Sequence, residues 1–189
     1  MASAVQQAFD AVPRALFLPS ALRHHAHDDR PLPLSHGQTN SQPSTVRAML
    51  ELLDVQPGHR VLDVGAGSGW STALLAHLVG RDGLVIGVER IAQLALAAHV
   101  SLEETGPWPQ ASVRVTRPGV LGAPECAPFD RILVSAEAAH IPPALVQQLD
   151  GGGIMVLPVD TVMTKVSRTL DGVRVTRHGR YAFVPLIEG

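Results

Sequence analysis

Apolar and polar stretches alternate through the middle of the chain in the order strand, helix, strand. Short apolar or alternating runs, bounded by glycine, proline or charged residues, predict five strands at 60–64, 84–89, 112–116, 129–135 and 154–159. Apolar residues at helical spacing between them predict helices at 70–79, 91–105 and 142–149. Strands that alternate with helices pair in parallel, so this region predicts a Rossmann-like, doubly wound α/β sheet.

The segment before this core has a different pattern. Residues 2–9 and 15–22 have helical composition, and Val12-Pro13-Arg14 separates them because proline disfavours helix in the residue before it. Residues 24–43 lack periodicity and predict a long loop of the kind that often serves function. The loop leads into a predicted helix at 44–53.

The segment after the core predicts antiparallel strands. Alternation at 165–170 and 173–177 around Asp171-Gly172 indicates a hairpin, and 181–187 predicts a short final strand. The predicted order gives one domain in three parts. They are 1–58 with the N-terminal helices and loop, 59–160 with the α/β core, and 161–189 with the antiparallel strands.

The first core strand runs into three alternating glycines, Gly65, Gly67 and Gly69, which let a ligand lie against the main chain. Asp63 precedes them, and Glu89 ends the next strand. A carboxylate at Asp63 would repel a pyrophosphate but attract the ammonium and sulfonium groups of S-adenosylmethionine. Glu89 is placed to accept hydrogen bonds from ribose hydroxyls. These residues favour S-adenosylmethionine over NAD, which remains the alternative.

Composition excludes several other classes of protein. A formal charge of −2, with acids and bases interspersed, gives no indication of nucleic-acid binding. Cys126 is the sole cysteine, so no internal disulfide can form, and the nine histidines lack the spacing of a zinc site. No apolar run approaches the length of a membrane span. We expect a cytoplasmic protein without a metal; the sequence does not predict the oligomeric state.

The chain resembles the protein-L-isoaspartate (D-aspartate) O-methyltransferases along nearly its whole length. The segment Thr39-x-Ser41-x-Pro43 is specific to that family, whereas the glycine loop is common to most methyltransferases of this fold. Further matching motifs are Val12-Pro13-Arg14, Gly37-Gln38-Thr39, Val61-Leu62-Asp63-Val64-Gly65, Gly67-Ser68-Gly69, Val88-Glu89-Arg90 and Phe183-Val184-Pro185-Leu186. The resemblance implies a class I methyltransferase sheet, mostly parallel with an antiparallel C-terminal end.

The resemblance also implies an activity and a set of site residues. The activity is methyl transfer from S-adenosylmethionine to the α-carboxylate of isoaspartyl residues in proteins or peptides, as a step in protein repair. Ser41 would contact the substrate carboxylate as the catalytic residue; its alternative role is an N-cap for the helix near Ser44, although Ser44 is better placed to cap. The other implied residues bind cofactor (Gln38, Thr39, Asp63, Gly65, Ala66, Gly67, Ser68, Gly69, Glu89, Arg90, Pro118, Gly119) or substrate (His27, Asp29, Asn40).

Three positions depart from the family pattern. Arg117-Pro118-Gly119 stands where the family has Gly-Asp-Gly, so the aspartate that accepts a hydrogen bond from the adenine amino group is missing. Asn40 replaces an apolar residue and His27 replaces an aromatic one, both on the substrate side. Two alternatives therefore stay open: a relative dedicated to an aspartate in one peptide natural product, and a non-catalytic module that has lost its cofactor.

Overall fold

The computed structural model describes residues 2–187, and residues 2–59 precede the main sheet. Helix α1 (Ala4–Ala11) is followed by two 3-10 turns, Arg14–Phe17 and Ser20–His25. Two short antiparallel strands, β1 (Leu32–Pro33) and β2 (Thr39–Asn40), come next. Helix α2 (Pro43–Leu53) then leads into the sheet. The predicted uninterrupted loop over 24–43 is therefore wrong in part, because residues 32–40 form a small hairpin.

Within residues 2–187, seven strands form the main sheet. They are β3 (Arg60–Val64), β4 (Leu84–Glu89), β5 (Ala111–Val115), β6 (Phe129–Val134), β7 (Leu149–Val159), β8 (Val162–Thr169) and β9 (Gly172–Arg180). Their spatial order is β5-β4-β3-β6-β7-β8-β9. The first five in that order are parallel and the last two antiparallel, as the sequence predicts. The chain enters the main sheet at β3 and adds β4 and β5 on one side. It then crosses to β6 on the other side of β3, so the strand order reverses between β3 and β6.

Apolar side chains on the two faces of the sheet form two cores. One face packs against α2, α3 (Trp70–Val79) and α4 (Ala92–Thr105), through residues such as Val61, Val85 and Leu133, and α1 packs onto α2 and α3. The alternate residues, among them Leu62, Ile86 and Ile132, pack against the short helix α5 (Pro143–Val146) and the chain around the 3-10 turn Pro124–Cys126. No helix in the part of the chain that the structure describes is long and apolar enough to cross a membrane.

Two predicted elements near the C-terminus differ from the structure. The helix predicted at 142–149 ends at Val146, because Leu149 already pairs with Phe129 at the start of β7. The strand predicted at 181–187 is absent; in its place Pro185 forms one isolated bridge with Glu137. Proline has no N–H to donate to a ladder, and this segment crosses the end of the sheet instead of joining its edge.

Candidate active site

The glycine loop lies at the carboxyl end of β3, where the strand order reverses and α/β sheets commonly bind ligands. The N–H groups of Gly65 and Ala66 donate to the carbonyl oxygen of Val88, at 2.9 and 3.2 Å. Gly69 has φ +85°, and a Cβ built on it would lie 3.1 Å from the Cβ of Ala98 in α4. Both the conformation and the close packing require glycine there, so the loop lies flat against β4 and α4.

Glu89 joins this loop to the start of α4. It is buried, its Oε2 accepts the N–H of Gly67 at 3.0 Å, and its Oε1 accepts the N–H of Ile91 at 2.9 Å. Each carboxylate oxygen can accept a second hydrogen bond, which leaves capacity for hydroxyl donors. Glu89 also lines the central cavity, so this acceptor capacity is next to the space where a ligand would bind.

Asp63 lies beneath the loop and does not line the cavity. Its Oδ2 accepts hydrogen bonds from the hydroxyls of Ser71 and Thr72, both at 2.7 Å. Its Oδ1 is buried without a hydrogen-bond partner among the described residues. Burial raises the pKa of Asp63 to about 6, against the two hydroxyl hydrogen bonds, which lower the pKa. The sequence predicts that Asp63 attracts the charged groups of the cofactor. In the structure, the alternation along β3 points its side chain towards α3, so the backbone of the glycine loop separates the carboxylate from the cavity.

Residues 116–121 form the wall of the cavity next to Glu89. The N–H of Val120 donates to the carbonyl of Arg117 at 3.0 Å, and Gly119 has φ +70°. Together with Pro118 in the second position, these features define a type II turn. The Arg117 side chain pairs with Glu125 outside the cavity. The segment Arg117-Pro118-Gly119, which departs from the family pattern, therefore forms a regular turn in the cavity wall.

Arg14 holds the opposite side of the cavity together. Its guanidinium is buried, and it donates to the carbonyls of Asp28 and Arg30, both at 2.9 Å. It also donates to the carbonyl of Ser41 at 2.9 Å and, through Nε, to Oδ1 of Asn40 at 2.7 Å. Burial lowers the pKa of Arg14 to about 10, so it remains charged at neutral pH. The Arg14 guanidinium therefore holds the turn at residues 26–30 next to the end of β2.

Ser41 follows β2 and lines the cavity. Gln42 occupies the N-cap position of α2 without a side-chain hydrogen bond to the helix, and Pro43 is the first helical residue. The N–H of Ser44 donates to Oδ1 of Asp29 at 2.9 Å. Neither Ser41 nor Ser44 supplies the cap, so the alternative role for Ser41 is not supported, and the expectation that Ser44 caps the helix is wrong. The Ser41 hydroxyl has no hydrogen-bond partner among the described residues, and Ser41 is one of the residues that line the site.

The central cavity has a volume of about 350 Å³, within the range of small-molecule sites. Most sequence-predicted site residues line it: Gln38, Thr39, Asn40, Ser41, Gly65, Ala66, Gly67, Ser68, Glu89, Arg90, Pro118 and Gly119. Asp63, Gly69, His27 and Asp29 do not. Exposed Asp29 instead binds the start of α2, and exposed His27 lies outside the lining.

Sequence reasoning missed much of the cavity wall, including Thr116, Ser135, Trp70 and the segment 184–187. The C-terminal segment reaches the site because the Glu137 N–H donates to the Val184 carbonyl at 2.8 Å and the Leu186 N–H donates to the Glu137 carbonyl at 2.7 Å. The motif Phe183-Val184-Pro185-Leu186 is the one sequence signal that could have indicated this. Among residues 2–187, no cluster of His, Cys, Asp and Glu could hold a metal ion.

Comparison with known proteins decides the family. A sequence model of the protein-L-isoaspartate(D-aspartate) O-methyltransferases matches residues 1–189. The chain belongs to this family. Similar relatives are the protein-L-isoaspartate O-methyltransferases of Aeropyrum pernix, 50% identical over 97% of this chain and 72% of that protein, and of Methanopyrus kandleri, 49% identical over 97% of this chain and 83% of that protein.

Solved structures of protein-L-isoaspartate O-methyltransferases share the fold. A Plasmodium falciparum structure assigned to the family, in complex with S-adenosyl-L-homocysteine, is 25% identical and has a TM-score of 0.86 over 100% of this chain and 92% of that one. A second protein-L-isoaspartate O-methyltransferase has a TM-score of 0.86 over 98% of this chain and 61% of that one, at 24% identity. The chain is an O-methyltransferase that uses S-adenosylmethionine.

The residues of this chain fit that cofactor. The cavity is large enough for a nucleoside with an amino-acid tail, Glu89 has free acceptor capacity, and the glycine loop leaves room for a ligand against the main chain. The unpartnered Oδ1 of Asp63 leaves a buried negative charge below the loop, which favours a cationic ligand.

Proposed function

We propose that this chain methylates the α-carboxylate of isoaspartyl residues in proteins or peptides, with Ser41 orienting that carboxylate. The observation that carries the proposal is that Ser41 lines the cavity with an unpartnered hydroxyl, while its backbone carbonyl accepts a hydrogen bond from Arg14 at 2.9 Å. A fixed backbone with a free hydroxyl is suited to holding a substrate oxygen. A hydroxyl can donate one hydrogen bond to a carboxylate.

The chemistry of the cavity suits a carboxylate substrate. A carboxyl group has a pKa near 4, so it is already anionic and nucleophilic at neutral pH. Among the described residues that line the cavity there is no histidine or lysine to act as a general base, and this reaction needs none. The cofactor supplies a methyl group on a positively charged sulfur, and the protein's task is to align the carboxylate with it. Alignment of this sort can contribute on the order of 7 to 11 kcal/mol.

The protein residues that we assign to the cofactor follow the order of the cofactor's parts along the cavity. We assign the adenine to the turn at Pro118 and Gly119, the ribose to Glu89, and the amino-acid and methyl end to the wall formed by Ser68 and residues 38–41. The methyl group must face Ser41, because the substrate binds on that side. Asn40 is not needed as a substrate contact in this arrangement, since its side chain is bonded to Arg14 and Ser68. This removes the main reason for a substrate limited to one dedicated peptide.

Methyl transfer from labelled S-adenosylmethionine to an isoaspartyl peptide tests the proposal, with the matching aspartyl peptide as the substrate control. Ser41→Ala should lower the rate about ten- to a hundredfold, the loss of one hydrogen bond to a charged group. Its affinity for S-adenosylhomocysteine and its melting temperature should hardly change. Ser44→Ala is the matched control and should keep full activity. An Ser41→Ala variant as active as the unsubstituted chain would contradict the catalytic role.

A further inference from the structure

A chain of three buried side chains joins the N-terminal segment to the glycine loop. Arg14 Nε donates to Asn40 Oδ1 at 2.7 Å, and Asn40 Nδ2 donates to Ser68 Oγ at 2.9 Å. All three residues are at most 9% exposed. Asn40 and Ser68 line the cavity, whereas Arg14 lies behind them. We call this the Arg14–Asn40–Ser68 chain.

The direction of each hydrogen bond in this chain is fixed by the first member. A guanidinium has only donors, so the atom of Asn40 that faces Arg14 must be the amide oxygen. The amide nitrogen then faces Ser68 and can only donate. Ser68 Oγ must accept from it, so the hydroxyl proton of Ser68 points away from Asn40. Since Ser68 borders the cavity, that proton is available to an acceptor bound there.

The ligand group at this place follows from the proposed function, on which the inference rests. With adenine at Pro118 and ribose at Glu89, the sulfur and its amino-acid substituent lie at the other end of the glycine loop, beside Ser68. The amino-acid part of the cofactor carries one anion, a carboxylate. A hydroxyl whose proton is directed away from Asn40, and is therefore free to donate into the cavity, is matched to that group.

We infer that the Arg14–Asn40–Ser68 chain orients the Ser68 hydroxyl to donate a hydrogen bond to the carboxylate of the bound cofactor, with Asn40 as the positioning residue. Asn40 thereby selects ligands that carry an acid group at this end. An apolar residue at position 40 would leave the Ser68 hydroxyl free to turn and would leave Arg14 Nε without its side-chain acceptor. Asn40 thereby has a role in cofactor binding that needs no contact with substrate.

Two ligands separate this role from a general effect on the site. S-adenosylhomocysteine carries the carboxylate, whereas 5′-methylthioadenosine keeps the adenine, ribose and sulfur but lacks the amino-acid part. Calorimetric titration of Ser68→Ala should show about tenfold or greater weakening for S-adenosylhomocysteine, as expected when a hydrogen bond to a charged group is lost. Binding of 5′-methylthioadenosine should change by less than about twofold. Ser101→Ala, in α4 outside the cavity, is the matched serine control.

Asn40→Asp tests the direction of the hydrogen bonds. The carboxylate would keep a partner for Arg14, but both its oxygens accept, so the Ser68 hydroxyl would turn towards Asp and present lone pairs to the ligand. We expect S-adenosylhomocysteine to weaken at least as much as in Ser68→Ala, again with little effect on 5′-methylthioadenosine. In the Ser68→Ala background, Asn40→Asp should add less than about twofold, because the two changes act through one hydroxyl.

Two results would overturn the inference. If Asn40→Asp weakens S-adenosylhomocysteine equally with and without the Ser68 hydroxyl, its negative charge acts directly on the ligand. If both ligands weaken together, the amino-acid end does not lie at Ser68. Asn40→Ala decides the same question if the aspartate variant does not fold. It frees the Ser68 hydroxyl to rotate and removes the side-chain acceptor of Arg14 Nε, and it should weaken S-adenosylhomocysteine but not 5′-methylthioadenosine. Failure of the unsubstituted chain to bind S-adenosylhomocysteine would instead contradict the proposed function itself.

Discussion

Asp63 is a carboxylate whose charge the fold disfavours. It is fully buried, one of its oxygens has no partner among the described residues, and Glu89 lies close enough to add to the effect. Two hydroxyls stabilise the charged form without cancelling the cost of burial. The folded chain therefore binds the Asp63 proton more tightly than the unfolded chain does.

This difference predicts how stability depends on pH. The folded pKa of about 6 lies above the unfolded value of 3.8, so protonated Asp63 adds stability that is fully present below pH 3.8 and is lost as the pH rises through 6. The shift corresponds to about 3 kcal/mol, at about 1.4 kcal/mol per pKa unit. Asp63→Asn should gain about that much stability relative to the unsubstituted chain between about pH 4 and about pH 7.

Denaturant unfolding at several pH values measures this difference. The exposed Asp82, in the turn before β4, provides the control Asp82→Asn, whose stability should follow that of the unsubstituted chain. Parallel stability curves for Asp63→Asn and the unsubstituted chain would mean that Asp63 titrates normally in the folded protein.

Glu89 allows a second prediction for a single residue. Glu89→Gln keeps the size of the side chain but replaces one acceptor oxygen with a donor, which would face a backbone N–H or a ribose hydroxyl. Affinity for S-adenosylhomocysteine should fall about tenfold or more, because hydrogen bonds to a charged acceptor are lost. Calorimetric titration measures the loss, with the exposed Glu104→Gln as control. Unchanged affinity would show that the ribose lies elsewhere.

Among the elements of the site, the turn at 117–120 differs most from the family pattern. Pro118 supplies no side-chain acceptor for the adenine amino group, and the Arg117 carbonyl is already bonded to the Val120 N–H. Pro118→Asp should tighten cofactor binding by up to about tenfold, because it restores one hydrogen bond worth about 0.5 to 1.5 kcal/mol.

A companion variant tests whether the turn itself matters. Gly119 has φ +70° with open space around it, so Gly119→Ala adds conformational strain of about 1 kcal/mol and no clash. Cofactor affinity should fall in that variant, measured by the same titration. If Pro118→Asp weakens binding while the fold is retained, the aspartate does not reach the adenine from this turn.

The elements that the sequence predicts well are those with strong local signals. β3, α3 and β4 agree with the prediction to the residue, because glycine, proline and charged residues end each apolar run there. The hairpin at β1 and β2 was not predicted, since strands of two residues have no detectable period. A final strand was predicted at 181–187, but Pro185 and the contacts with Glu137 take that segment across the sheet.

The same distinction applies to the site. The glycine loop was predictable from the close spacing of its glycines, and Glu89 from its place at the end of the next strand, which pairs in parallel with β3. The direction of the Asp63 side chain, the packing of Arg14 against Asn40, and the wall at 184–187 depend on contacts between distant parts of the chain. One sequence contains no local signal for such contacts. The family motifs indicated that these segments matter but not which atoms meet.

At the scale of the whole molecule, Arg14 attaches the substrate side of the site to the rest of the fold. Its guanidinium binds carbonyls at 26, 28, 30, 40 and 41, while the Trp70 indole N–H donates to the carbonyl of Val12 at 3.2 Å. Substitution of a buried cation that holds several carbonyls leaves those groups unpaired. We therefore expect local unfolding of this region before global unfolding.

Hydrogen exchange on Arg14→Met tests that expectation. Amides in residues 26–41 should lose protection by tenfold or more, given about 1.4 kcal/mol per tenfold change in the opening equilibrium. Amides in β3 and β6 should keep theirs, because their ladder does not involve Arg14. Arg81→Met, at an exposed turn, is the control. Equal loss of protection in β3 would mean that Arg14 supports the entire fold.

The wall at 184–187 has a consequence for how the protein acquires activity during synthesis. The ribosome makes the cofactor loop and the Ser41 segment early, but the last wall of the cavity is made more than a hundred residues later and docks on Glu137. Domains complete their folding only after the chain that closes them has emerged. A nascent chain that has built the parallel strands therefore holds an open site, so methyl transfer should begin only after residues 184–187 have emerged from the ribosome.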